Sequence, residues 1–161
     1  MKILRTPKIT KPEFLSEVIV KIRPEIKVVS LSGKGEPLEA FNHKISKVFT
    51  YLADKRVKTG HVLGIFYQDR RKVGVENETW DACVSVDKEI ITNDEFKYLN
   101  LPEVKVASVI LTGSYALIGQ ALSYLESVTQ VNGIKTSWPL TEIYLEEGKE
   151  PVTELQYFVK E

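Results

Sequence analysis

The sequence predicts an α+β fold made of two tandem strand–helix–strand–strand units, an antiparallel sheet with helices on one face. Three observations predict it: a short segment that recurs 78 residues later, an amphipathic helical stripe after each occurrence, and two β-rich runs after each stripe. Pro24-Glu25-Ile26-Lys27-Val28-Val29-Ser30-Leu31 aligns with Pro102-Glu103-Val104-Lys105-Val106-Ala107-Ser108-Val109, with five of eight residues identical. The same offset carries Gly35 onto Gly113, Val62 onto Leu140, Ile65 onto Ile143 and Phe66 onto Tyr144. Beyond it, Ala82 to Val86 matches Leu155 to Val159 only if the second copy is five residues shorter. Two units sharing one core predict a single body that folds cooperatively.

Each unit begins with a β-branched run behind a proline, Ile26 to Leu31 and Val104 to Leu111, where proline suits a strand entrance. Leu38, Phe41, Ile45, Val48, Phe49 and Leu52 then recur at three- and four-residue steps, one apolar stripe of a helix. Ile118, Ala121, Leu122, Leu125 and Val128 repeat that spacing, and Asn132-Gly133 is a helix stop. Strands over Val62 to Tyr67 and Ala82 to Val86, and over Leu140 to Leu145 and Leu155 to Val159, close the units. The organisation expected is an extended arm over 1–17 and one domain over 18–161. Copy one spans 18–87, a connector 88–100 and copy two 101–161.

Composition narrows the function. Apolar residues make up 43% of the 161-residue chain and charged residues 27%, an ordinary globular balance. Twenty-two basic residues offset twenty-two acidic ones, so the Lys/Arg surplus that displaces counterions from phosphates is absent and direct nucleic-acid binding is not expected. The basic run Arg70-Arg71-Lys72 reads as a solvated loop, since Glu76 and Glu78 follow at once. No apolar stretch reaches membrane-spanning or signal-peptide length. One cysteine, Cys83, excludes an internal disulfide and fits a reducing, cytoplasmic setting; within its apolar strand it reads as an inert core thiol. His43 and His61 have no Cys or carboxylate at ligand spacing, so no metal is expected. Gly33-Lys34-Gly35 lacks the spacing of a phosphate loop, and no other motif calls for a cofactor.

Several segments together resemble the GyrI-like effector-binding domains, the ligand-sensing module of many bacterial multidrug-responsive transcription activators. They are Gly35-Glu36-Pro37 ahead of the first helix, Gly64-Ile65-Phe66-Tyr67, Trp80-Asp81-Ala82-Cys83-Val84, and Trp138-Pro139-Leu140-Thr141-Glu142-Ile143-Tyr144-Leu145. The resemblance spans roughly 18–161. It implies a pseudo-twofold pair of units with ligands in a cleft between them, and it implies that Glu142 faces the ligand. The sequence departs from the regulators in leaving no room for a helix-turn-helix ahead of the domain, and Gln68 to Thr79 lacks a proline-rich acidic stretch common in relatives. A stand-alone member is therefore expected.

Period-two alternation places Leu140, Glu142 and Tyr144 on one strand face, with Ile143 and Leu145 opposite, under the helices. A carboxylate among apolar neighbours is costly to bury and is tolerated mainly where it has a partner or a task. Gly64, its partner under the offset, leaves volume beside a strand. Trp138, Tyr144 and Tyr115 from copy two, with Trp80 and Phe66 from copy one, supply rings that attract cations. The same residues also fit ordinary core packing, and Glu142 also fits a solvated sheet face bridged to a lysine. The function expected is capture of hydrophobic, cationic or planar aromatic compounds, with Glu142 as acidic selector. Two alternatives stand beside it: hydrolysis of reactive small molecules with Glu142 as general acid or base, and a protein-interaction role like that of a gyrase inhibitor. Edge strands leave a homodimer open.

Overall fold

The computed structural model describes residues 1–161, the side chain of Leu38 excepted, so that member of the first helical stripe lies outside the described residues. The fold is α+β, with nine strands that are antiparallel at every described pairing. The chain divides into two compact units, one of residues 1–23 with 104–161 and the other of residues 24–103.

The unit of residues 24–103 holds β3 (Ile26–Lys34), helix α1 (Pro37–Leu52), β4 (Thr59–Phe66), a single turn α2 (Arg70–Val73), β5 (Thr79–Val86) and β6 (Lys97–Leu101). Its strand order is β4-β5-β3-β6. Side chains alternate across a sheet and directly paired residues share a face. Val29, Leu31, Val84 and Val86 therefore form one face, which packs on Val48 and Leu52 of α1 and on Phe96. The expected connector is thus partly structured: it adds strand β6 and the Phe96 ring, stacked on Tyr51 at 4.0 Å. The basic run expected as a loop forms α2, capped by Asp69. Arg70 pairs with buried Glu78 at 2.8 Å, and Arg71 pairs with Asp69 at 2.9 Å.

The other unit holds β1 (Lys2–Ile3), β2 (Ile19–Arg23), β7 (Val104–Thr112), helix α3 (Ile118–Val131), β8 (Thr136–Glu146) and β9 (Val152–Val159), in the order β1-β2-β7-β9-β8. Residues 1–17, expected as an arm, contribute β1 and bury Leu4 and Leu15. Helix α3 ends at Val131 with Asn132 as its C-cap, and Gly133 takes a positive φ of 70°, the left-handed geometry that closes a helix.

The offsets read from the sequence recur in the strand registers. β2 and β3 lie 78 residues before β6 and β7, and β5 lies 73 before β9. Val28 pairs with Ser85 as Val106 pairs with Phe158, and Gly64 pairs with Ala82 as Glu142 pairs with Leu155. The leading strands are exchanged, since β2 pairs with β7 and β6 pairs with β3. Among the described residues no helix is long and apolar enough to cross a membrane.

Candidate functional site

Strand β8 carries the candidate acid. Glu142 pairs with Leu155, Tyr144 with Thr153 and Leu140 with Tyr157, so Leu140, Glu142 and Tyr144 do share a face. That face is the one beneath the helix, because the Tyr157 hydroxyl donates to the Glu126 carboxylate of α3 at 3.0 Å. The expectation that Ile143 turns toward the helix is corrected: it pairs with Glu154 on the opposite face. Alternation sets which residues share a face, but periodicity alone does not say which side a helix covers.

Glu142 is 7% exposed, and the Tyr144 hydroxyl donates to its Oε1 at 2.8 Å. The buried carboxylate is thus held by a phenol two residues along the same strand face. Tyr115, in a 3-10 turn just before α3, sets its ring edge-on to Tyr144, with centroids 6.0 Å apart. Tyr115 is 46% exposed. Burial, then the carboxylates of Glu147 and Glu142, raises its phenol above the ordinary value, which puts Tyr115 within the field of both acids. Trp138 sits where the β8–β9 register slips between Ser137 and Leu140, and its half-buried ring tilts against Tyr157 at 5.5 Å. Tyr115, Tyr144 and Glu142 form one group; Trp138, Tyr157 and Glu126 form a second farther along β8.

The candidate residues of the unit 24–103 have a different setting. Trp80 is 1% exposed, its Nε1 donates to the Gly35 carbonyl at 3.0 Å, and its ring lies against Phe41 at 5.7 Å. Phe66 stacks on the same Phe41 at 6.3 Å. A Cβ on Gly33 would stand 2.3 Å from the indole, so the missing side chain is what admits the ring. Trp80 and Phe66 are core residues of their own unit. Gly64 pairs with Ala82 on their face.

The faces away from the helices hold acids that sequence reasoning passed over. Glu154 Oε2 accepts from Ser108 at 2.7 Å and Gln156 at 2.8 Å, and pairs with Lys21 at 2.7 Å. Burial works to raise its pKa, but these hydrogen bonds prevail and hold it below the ordinary carboxylate range. Buried Arg23 donates to Gln156 at 3.3 Å and lies over the Phe158 ring. Asp81, at the register position equivalent to Glu154, accepts from Ser32 and Tyr67. Burial, then Asp81, raises the Cys83 thiol, which keeps it protonated and inert. Alternating polar residues in Thr153-Glu154-Leu155-Gln156 were the available signal for a polar face on β9.

The model of the GyrI-like small molecule binding domain matches residues 16–159. A search of curated proteins returned no match. Among solved structures, the EcmrR C-terminal domain is similar with a TM-score of 0.76 at 18% identity, over 89% of this chain and 97% of that one. EcmrR in its DNA complex is similar with a TM-score of 0.78 at 17% identity over 92% of this chain, which spans 58% of that longer one. A hydrolase from Listeria innocua reaches 0.66 at 11% identity over 89% and 91% of the two chains. SAV2435 bound to tetraphenylphosphonium reaches 0.63 at 12% identity, over 90% of this chain and 94% of that one. At these identities the likeness is one of fold.

Proposed function

We propose, from the premise that this chain belongs to the GyrI-like small molecule binding domain family, that it captures aromatic cations at the Glu142 group. The observation that carries the reading is a carboxylate 7% exposed, oriented by the Tyr144 hydroxyl and neighboured by the exposed Tyr115 ring. A buried acid presents a localised negative charge that water screens poorly. Ring faces add roughly 0.5–2 kcal/mol per cation contact. Selection by charge and aromatic contact accepts many scaffolds, as a broad-specificity binder requires. The tetraphenylphosphonium bound by SAV2435 is a ligand of that chemistry and a suitable first probe.

Titration with tetraphenylphosphonium, followed by calorimetry and by Trp138 emission, tests the reading. Wild-type protein binds, and Glu142→Gln binds at least tenfold more weakly. Absence of binding at millimolar concentration, or equal affinity for both proteins, removes it.

A second reading rests on the Tyr144–Glu142 hydrogen bond, which also suits a general acid–base pair acting on a bound electrophile and water. One fold neighbour is described as a hydrolase. Turnover of a strained electrophile that Glu142→Gln abolishes while retaining product binding would favour it; purely stoichiometric uptake would eliminate it. The recurrent 78-residue offset and the matching strand registers further support descent of the two units from one duplicated ancestor.

A further inference from the structure

Thr153 is 0% exposed, and among the described residues its Oγ1 has no hydrogen-bond partner. A hydroxyl buried without a bond loses its water partners and gains none, so such atoms are rare and call for an explanation. Its position supplies one. Thr153 pairs directly with Tyr144 and, on its other side, with Leu111, on the face that carries Glu142. Glu142 is its diagonal neighbour across β8 and β9, roughly 7–8 Å away by ordinary sheet spacing.

The position equivalent by register in the other unit is Trp80, where the polar atom is satisfied by Gly35 and the ring fills the corner. At Thr153 a small side chain takes that place, and its hydroxyl is left over. The neighbouring rings are the half-buried Tyr144 and the exposed Tyr115, in edge contact with each other. Because Thr153 is fully buried, a ligand reaches its hydroxyl only when a neighbouring side chain gives way.

We infer that Thr153 is a specificity-determining contact of the Glu142 site, its hydroxyl accepting a hydrogen bond from an N–H-bearing aromatic cation. The inference rests on the proposed function and narrows its ligand class to protonated arylalkylamines over permanently alkylated or arylated cations. A threonine oxygen has two lone pairs and accepts from an ammonium N–H. A quaternary centre has no proton to give and meets the same site through charge and ring contact alone. The salt-like contact to Glu142 serves both ligands; the Thr153 contact serves one.

The test uses (1-naphthylmethyl)ammonium and its N,N,N-trimethyl counterpart, equal in ring and charge, titrated calorimetrically into the full chain. Wild type prefers the primary ammonium. Thr153→Val, the same shape without the hydroxyl, loses roughly five- to tenfold affinity for the primary ammonium, about 1–1.4 kcal/mol, and keeps its affinity for the trimethyl probe. Thr153→Ser retains the preference. A variant pair Thr153→Ser and Thr153→Ala serves the same purpose should the valine fail to fold, the alanine alone losing the preference. Equal losses on both probes, or none on either, overturn the inference. When Glu142→Gln still weakens both probes under that result, the proposed function stands and only this refinement falls; a wild type that binds neither probe removes both.

Discussion

The two units use the same strand registers to build unlike corners at the ends of their central strands. In the unit of residues 24–103 the corner is hydrocarbon: Phe41, Phe66 and Trp80 pack ring on ring, and Gly33 leaves a bare backbone for the indole. In the other unit the matching register positions hold Tyr144, Thr153 and Leu111, with Glu142 where the first unit has Gly64. The first corner removes apolar area from water and satisfies its single indole N–H on a carbonyl. The second holds a buried carboxylate bonded by the Tyr144 hydroxyl and, at Thr153, a buried hydroxyl that has no partner among the described residues and so costs stability. One backbone arrangement therefore serves as a clamp in one unit and as a candidate receptor in the other.

Breaking the clamp has the largest expected effect. Trp80→Ala removes the ring that fills the hydrocarbon corner and is expected to cost roughly 3–5 kcal/mol in urea unfolding. Gly33→Ala places a Cβ against the indole and costs roughly 1–3 kcal/mol by the same measurement, as overpacking does. An unchanged midpoint for Gly33→Ala would mean that the indole does not rest there.

Exchanging the polar character of the corners sharpens the comparison. Phe66→Tyr introduces a hydroxyl into the hydrocarbon corner and is expected to lower stability by roughly 1–3 kcal/mol. The reciprocal Tyr144→Phe removes the donor that orients Glu142 and lowers tetraphenylphosphonium affinity by up to about tenfold, with little change in unfolding. Equal affinity of Tyr144→Phe and wild type would detach the phenol from the site.

The smallest expected effect lies on the opposite face. The folded-state pKa of Glu154 is below the ordinary value of 4.5, so the folded protein binds fewer protons there than the unfolded chain. Its contribution is fully present above that ordinary value and is lost as pH falls through the folded pKa. Glu154→Gln should flatten the slope of stability against pH below about 4.5 while leaving it unchanged near neutrality. An identical acid limb in both proteins would show that Lys21, Gln156 and Ser108 do not hold the carboxylate as described.

Much of the fold was legible because its signals are local. The proline-led β-branched runs became β3 and β7, the apolar stripes became α1 and α3, and Asn132-Gly133 ended the second helix. Strands β1, β2 and β6 were not legible. They are short, and their pairing partners lie far along the chain, with β2 bound to β7 and β6 to β3. Of the candidate site, Glu142, Tyr144 and Tyr115 are brought together, and alternation along β8 had already put the first two on one face. Trp80 and Phe66 were placed by the same aromatic criterion, yet they are occupied by Phe41, a contact from a helix that strand periodicity does not register. Thr153 carried no sequence signal, since an isolated threonine in a β-rich run is unremarkable until its neighbours are known.

By itself the sequence determined the repeat, the order of its elements and the alternation that pairs Glu142 with Tyr144, since each depends on chain spacing and on side-chain period. The tertiary structure alone decided which face lies under a helix, which rings are consumed by packing and which buried polar atoms find partners. Those outcomes depend on residues distant in the chain arriving within a few ångströms of one another, a condition that no local spacing encodes.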